Sequence, residues 1–279
     1  MQGGSDMQDL RTFKLNQGIE MPTLGLGVYK TLDETEMQNA VDWAVEAGYR
    51  SFDTAQMYQN EQLLGKALKR NGADRARLFL TSKILMENMA PEKLAPSYEK
   101  SLEKLQTAYL DLLLIHWPGQ DKLRLQHAWD AMCNLYHDGK VRAIGVCNCV
   151  EKHLKWLHEV GDVMPAVNQV ERHPLLNDTA VKKACDAYEI RMEAWSPLLR
   201  GKFALPKIVE IAARHGKTPA QVVLRWDIQS GYIVIPKSVH KERIFENADL
   251  YDFALTEEEI RQIDALSTGE RIGALLFRR

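Results

Sequence analysis

Eight times along the 279-residue chain a short, apolar, β-rich run is set beside a longer run with helical spacing. This alternation narrows the fold more than any other feature. The β-rich runs are "TLGLGVY" (23–29), "SFDTA" (51–55), "LFLTSK" (78–83), "LDLLLIH" (110–116), "VRAIGVCN" (141–148), "AVNQV" (166–170), "IRMEAWS" (190–196) and "YIVIPKS" (232–238). Between them, residues 34–47, 60–70, 91–106, 121–138, 150–160, 177–188 and 206–229 carry apolar residues at i, i+3, i+4. The strands are short and apolar, as expected where both faces of a parallel sheet are covered. With no linker between units, the pattern predicts an α/β fold of the (β/α)₈ TIM-barrel type, with residues 10–279 as one barrel domain.

Local signals refine this. Gly216 and "KTP" break the stretch 206–229, with Thr218 as N-cap and Pro219 at the first helical position, so one extra helix precedes the last strand. "ALTEEEIRQIDAL" (254–266), capped by Thr256, predicts a second extra helix after it. "FKLNQGIEMPTLG" (13–25) reads as an N-terminal β-hairpin turning at Asn16-Gln17-Gly18 and capping the barrel bottom. Residues 1–9 read as a tag remnant or frayed end, with Met7 a candidate native start. The rival fold, a doubly wound open sheet, would place G-x-G-x-x-G after the first strand. "GLGVYK" (25–30) offers G-x-G and no third glycine.

Bulk properties exclude several functions. A formal net charge of −2 argues against a general nucleic-acid or membrane-surface binder. No apolar run reaches the roughly 18–20 residues that span a bilayer, and "LDLLLIHW" is only strand-sized. The absence of an export signal or an evident disulfide framework points to the cytoplasm. Cys133 and Cys185 lie in helical patterns and read as buried thiols. Cys147 and Cys149 form a C-x-C pair, too few ligands for structural zinc, so no metal is expected.

In such a barrel the C-terminal ends of the strands line the active site. Read in order they are Asp53, Lys83, His116, Cys147 with Asn148, Gln169, Trp195 with Ser196, and Lys237 with Ser238. Singly, each has a plain reading: an N-cap or turn aspartate, a solvated lysine, a structural histidine, a core tryptophan, and for Tyr58 a loop aromatic packing its ring. A closed barrel brings them to one rim. Asp53, Lys83 and His116 come from consecutive strands, roughly 5 Å apart. Asp53 can pair with Lys83, and the ammonium is expected to depress the Tyr58 pKa below its usual value of about 10. A phenol so tuned is a general acid toward a carbonyl oxygen, which His116 can orient. No activated nucleophile or carboxylate pair accompanies them. The set suits protonation of an oxygen while hydride from a cofactor attacks the carbon.

A second cluster, "IPKSVHKERIFEN" (235–247), sets Lys237, Ser238, His240 and Arg243 at a helix start. This is either an anion site suited to a phosphate or a solvated basic turn. Asn148 and Gln169 carry amides able to grip a carboxamide, with the flat face of Trp195 beside them.

The segments "MPTLGLGVYK", "GYRSFDTAQMYQNE", "LTSK", "DLLLIHWP", "GKVRAIGVCN", "VNQVERHP", "EAWSPL", "GKTPAQVVLRW" and "IPKSVHKERIFENADLYDFALT" together resemble the aldo-keto reductase superfamily, and most closely its bacterial 2,5-diketo-D-gluconic acid reductase-like branch. The resemblance runs from about residue 11 to 270. It implies a barrel that binds NADPH in an extended pose, with Asp53, Tyr58, Lys83 and His116 as catalytic tetrad and Tyr58 as acid. It further implies that Asn148 and Gln169 hold the nicotinamide carboxamide, Trp195 stacks on the ring, and Ser196 and Leu198 contact the pyrophosphate. Lys237, Ser238 and Arg243 would take the 2′-phosphate, Glu246 and Asn247 the adenine, and Val239 would also touch the cofactor. Gly27, Val28 and Tyr29 would line the mouth near the nicotinamide. Tyr29, Leu85, His116 and Trp117 would form the substrate pocket. Cys147, Cys149 and Leu85 depart from the family's Ser, aromatic and Trp at these places. The short loops suggest small or varied carbonyls, such as keto-sugars, glyoxals or aromatic aldehydes, and relatives suggest a monomer. Two rival readings are a Schiff-base lyase on Lys83 and a nucleotide-sensing subunit without turnover.

Overall fold

The computed structural model describes residues 11–273, so the expectation for residues 1–9 lies outside it. Strands β3 (Gly25–Gly27), β4 (Ser51–Asp53), β5 (Phe79–Ile84), β6 (Leu112–Ile115), β7 (Ile144–Cys147), β8 (Val167–Glu171), β9 (Arg191–Trp195) and β10 (Ile233–Val234) form one parallel sheet in chain order. The sheet closes on itself. Leu24 bridges Val234, the Val234 N–H donates to Thr23 O (2.9 Å), and the Gly27 N–H donates to Pro236 O (3.1 Å). Gly27 belongs to this seam, because a Cβ there would lie 2.9 Å from the Ile235 carbonyl oxygen. The last strand is shorter than "YIVIPKS" suggests. Pro236 has no N–H to donate, so the ladder gives way to the single bond to its carbonyl.

Helices α1 (Glu34–Glu46), α2 (Glu61–Asn71), α3 (Pro91–Leu105), α4 (Lys122–His137), α5 (Glu151–His158) and α6 (Thr179–Asp186) follow β3 to β8 in turn. Helix α8 (Pro219–Gln229) precedes β10. Helix α9 (Lys241–Ala248) follows it and packs against both α8 and α1, closing the outer ring. The two extra helices are α7 (Pro206–His215) and α10 (Glu257–Asp264). They share with α8 a core of Ile208, Ile211, Val222, Trp226 and Ile263. Both predicted caps form. Gln221 N–H donates to Thr218 Oγ1 (3.2 Å) and Glu259 N–H to Thr256 Oγ1 (3.2 Å).

Side-chain alternation separates floor from site. Phe79, Leu112, Leu114, Val167 and Ile233 point inward low in the barrel, and Leu15 and Met21 of the hairpin pack with them. The hairpin pairs β1 (Thr12–Lys14) with β2 (Glu20–Pro22), and Gly18 takes φ +88° in its turn. Gln17 docks it. Its Nε2 donates to Ile144 O (3.1 Å) and Met164 O (2.9 Å), and its Oε1 accepts from Ile144 N–H (2.9 Å). The hairpin thereby plugs the bottom and leaves the top as the open end. All four cysteines are buried free thiols, Cys147 facing the interior and Cys149 the helix side. No helix among the described residues is long and apolar enough to cross a membrane.

Helix α2 meets the end of α3 at Gly65, where a Cβ would lie 2.5 Å from Lys104 O and 2.6 Å from Leu105 C. Alanine would gain about 1 kcal/mol of helix propensity. Overpacking against backbone costs about 1–3 kcal/mol, and backbone cannot rotate aside. Gly65→Ala is therefore expected to lower the urea midpoint with an unchanged slope; an unchanged or higher midpoint would show that the two helices separate freely.

Candidate active site

The loop after β4 is fixed before it reaches Tyr58. Thr54 Oγ1 donates to Asn60 Oδ1 (2.8 Å), and the buried Asn60 Nδ2 donates to Val28 O (2.8 Å) and Thr31 O (3.1 Å). Gln56 is a second tie, and the sequence alone gives it no role. Its Nε2 reaches Ser97 O (3.1 Å) and Ser101 Oγ (3.2 Å) on α3, while its Oε1 accepts from Leu85 N–H and Asn88 Nδ2 (both 2.9 Å). A 3₁₀ turn, Gln56–Tyr58, ends at Gln59 with φ +57° and holds the phenol over the barrel.

Below it, Lys83 is fully buried. Its Nζ donates to Asp53 Oδ1 (2.5 Å) and Thr54 O (2.9 Å), and lies 3.4 Å from Tyr58 Oη. Burial alone would lower the Lys83 pKa, but the Asp53 carboxylate overrides it and holds the ammonium above its ordinary range. The expected depression of Tyr58 is not found. Burial raises its pKa, and Lys83 opposes this only in part because Asp53 neutralises much of its charge. Tyr58 is a neutral phenol that keeps a proton to give. His116 is neutral too. Burial, then the nearby Lys83 charge, push it down to about 3. The His116 ring stands edge-on to Tyr58 at 5.7 Å between centroids, and Tyr29 lies 4.9 Å from Tyr58 on its other side.

The amides and Trp195 complete this rim. Asn148 sits at φ +59° and Ser196 at φ +55°, conformations uncommon outside glycine and often found at functional sites. Trp195 Nε1 donates to Asn148 Oδ1 (3.0 Å), and Asn148 Nδ2 to His116 O (3.3 Å). Gln169 Nε2 is turned into the barrel, donating to Asp53 Oδ2 (2.8 Å) and Glu193 Oε2 (2.7 Å). Its oxygen is left as the acceptor. Tyr29 is 46% and Met57 41% exposed, which places an apolar lip on the mouth. Leu85 and Trp117 are half-buried, with Trp117 stacked near His116 at 6.4 Å.

At the far end, Lys237 and Arg243 are exposed and make no ion pair among the described residues. They flank the first turn of α9, whose N-cap His240 offers no side-chain bond to the free N–H groups. Ser238 is buried, with Oγ accepting from His240 N–H (3.1 Å). An anionic group fits here: the cations are uncommitted and the helix end points outward charge to match.

Some expected contacts are placed elsewhere. The Val28 side chain is 1% exposed and belongs to the core; only its backbone serves the site, through Val28 N–H to Asp53 O (3.1 Å). Glu246 Oε1 accepts from Thr218 Oγ1 (2.8 Å), so it ties α9 to α8, and Asn247 is buried. Leu198 is half-buried against core side chains, and Val239 is half-buried. Sequence reading missed Glu193 and Glu171. Period two would have found both, since each lies two residues from an inward strand-end side chain, Trp195 and Gln169. Glu171 Oε1 accepts from Ile272 N–H (2.6 Å) and Gly273 N–H (2.8 Å). That brings the tail against Trp195, where a Cβ on Gly273 would lie 2.6 Å from the indole.

Known proteins resemble the chain over nearly its whole length. A model of the Aldo/keto reductase family matches residues 23–268. The chain is 47% identical over 263 residues to glyoxal reductase of Bacillus subtilis (strain 168), covering 94% of this chain and 95% of that protein. It is 42% identical over 272 residues to methylglyoxal reductase DkgA of Escherichia coli O157:H7, covering 96% and 97%. A crystal structure of a Gox0644 mutant in complex with NADPH superposes with a TM-score of 0.89 at 37% identity, over 94% of this chain and 96% of that one. A family match over residues 23–268, with 47% and 42% identity along nearly the whole chain, establishes that the chain belongs to the aldo/keto reductase family.

Proposed function

We propose that the protein reduces small aldehydes and ketones, dicarbonyls of the glyoxal type foremost, with Tyr58 as general acid and NADPH as reductant. The carrying observation is Lys83 Nζ held 2.5 Å from Asp53 and 3.4 Å from Tyr58 Oη. NADPH, when bound, supplies the hydride. Tyr58 donates its proton to the carbonyl oxygen as charge develops there, and the Lys83 ammonium stabilises the phenolate that remains. Neutral His116 donates a hydrogen bond to the same oxygen and fixes its direction. Gln169, its nitrogen tied down by two carboxyl groups, presents an acceptor to the carboxamide nitrogen. Trp195, held by Asn148, backs the ring, and Lys237 with Arg243 takes the 2′-phosphate.

The relatives' names support glyoxal-type substrates. The uncharged lip and wall of Tyr29, Met57, Leu85 and Trp117 suit a neutral carbonyl. A Schiff-base role for Lys83 is disfavoured, because its ammonium is stabilised and committed to Asp53 and Thr54. A purely nucleotide-sensing role would leave the aligned proton donor without a use.

Tyr58→Phe removes the proton and little else. Single-turnover oxidation of NADPH with methylglyoxal is expected to slow by about 10²–10⁴-fold, the usual worth of a general acid. Most of the activity surviving would assign the proton elsewhere. Arg243→Ala is expected to weaken NADPH binding by about 1.5–3 kcal/mol, the scale of a charge-assisted bond, and NADH binding far less. Equal losses for the two cofactors would remove the 2′-phosphate from this site.

A further inference from the structure

Beneath the Asp53–Lys83 pair lies a third ionisable group that the reduction as described does not use. Glu193, on β9, points inward two residues before Trp195 and is fully buried. Its Oε2 accepts from Gln169 Nε2 (2.7 Å), the same nitrogen that donates to Asp53 Oδ2 (2.8 Å). Its Oε1 has no hydrogen-bond partner among the described residues. One donor is too few to hold an ionised carboxylate in a dry interior. The nearest cation, Lys83, is spent on Asp53. Two carboxyl groups thus share one ammonium, and the one farther from it keeps a proton. Burial first, and the Asp53 charge second, push Glu193 up to about 8.

The surroundings offer little to buffer a change in that proton. Asp53 faces Glu193 from β4 and Lys83 from β5. Beyond β6 stands neutral His116, and β7 brings the Cys147 thiol, which burial holds well above its ordinary pKa. β8 contributes the uncharged Gln169 and, two residues on, the Glu171 carboxylate, which accepts from the Ile272 and Gly273 N–H groups and pairs with His173 and Arg271, while β3 and β10 contribute Gly25, Gly27 and Ile233.

We propose that Glu193 is a proton-holding positioning residue that responds, through Gln169, to the charge of the nicotinamide ring. It stays neutral beneath the reduced ring and gives its proton to solvent beneath the cationic, oxidised ring. This rests on the reading that Gln169 carries the carboxamide. It follows that binding of NADP⁺ expels a proton that binding of NADPH does not. The sign is fixed by linkage. The cation favours the ionised carboxyl, so NADP⁺ affinity rises with pH until the carboxyl is already ionised in the free protein, and then levels off. Protons from the 2′-phosphate are common to both cofactors and cancel in the comparison. Tyr58 is the competing source, since a cation above it would also ease its proton.

The test is titration calorimetry of NADP⁺ and of NADPH on the full-length protein, in buffers of differing ionisation enthalpy. It uses the wild type, Glu193→Gln and Tyr58→Phe. The wild type is expected to release more protons with NADP⁺ than with NADPH, and the ratio of the two Kd values to change by up to about tenfold per pH unit below about pH 8. The difference is expected to survive in Tyr58→Phe and vanish in Glu193→Gln, which mimics the neutral acid. A difference retained in Glu193→Gln, or lost in Tyr58→Phe, would overturn the proposal. So would a pH-independent Kd ratio in the wild type, a result that needs no variant. Failure of the wild type to bind either cofactor would instead strike the cofactor reading on which the proposal rests.

Discussion

The buried ion pair of Lys83 with Asp53 is the interaction on which the rest of this site depends. Removing both charges from water costs several kcal/mol per ion, so the pair depends on further hydrogen bonds to each partner. Thr54 lends a carbonyl to Lys83, and Gln169 lends an amide to Asp53. Each of these partners is itself fixed: Thr54 through Asn60, Gln169 through Glu193. The apolar floor below, closed by the hairpin, keeps water from the pair on that side.

The pair also sets the protonation of its neighbours. Burial keeps the proton on Tyr58, and an ammonium shared with Asp53 opposes this only in part. The phenol stays protonated, and His116 stays neutral because burial and the same ammonium disfavour a second cation. Both groups therefore face the mouth as donors. The positive charge waits behind the phenol, where it counts most as the proton leaves. On the proposed reading, catalytic strength would come from differential stabilisation of the phenolate, rather than from a phenol made acidic in the resting protein.

Much of this was legible in the sequence. The βα alternation, the Thr218 and Thr256 caps and the Asn16-Gln17-Gly18 turn are local signals, and each is realised where its chemistry predicts. The meeting of Asp53, Lys83 and His116 was legible because strand ends of a closed barrel must converge. What the sequence hid was non-local competition. Burial outweighs Lys83 at Tyr58, and Asp53 offsets part of the ammonium besides. Val28 reads as a mouth residue, but strand period two turns its side chain to the core. Gln56 and Glu193 fall within segments of the resemblance that give neither a role, and their hydrogen bonds run to partners 24 to 45 residues away.

The central claim is that the proton comes from a phenol and not from an imidazolium. The pH dependence of kcat/KM for methylglyoxal reduction at saturating NADPH tests it most directly. With His116 neutral far below physiological pH, the rate should stay level from roughly pH 5.5 to 7.5. A fall through that range, centred near the ordinary histidine pKa of about 6.5, would make His116 the acid and contradict this account.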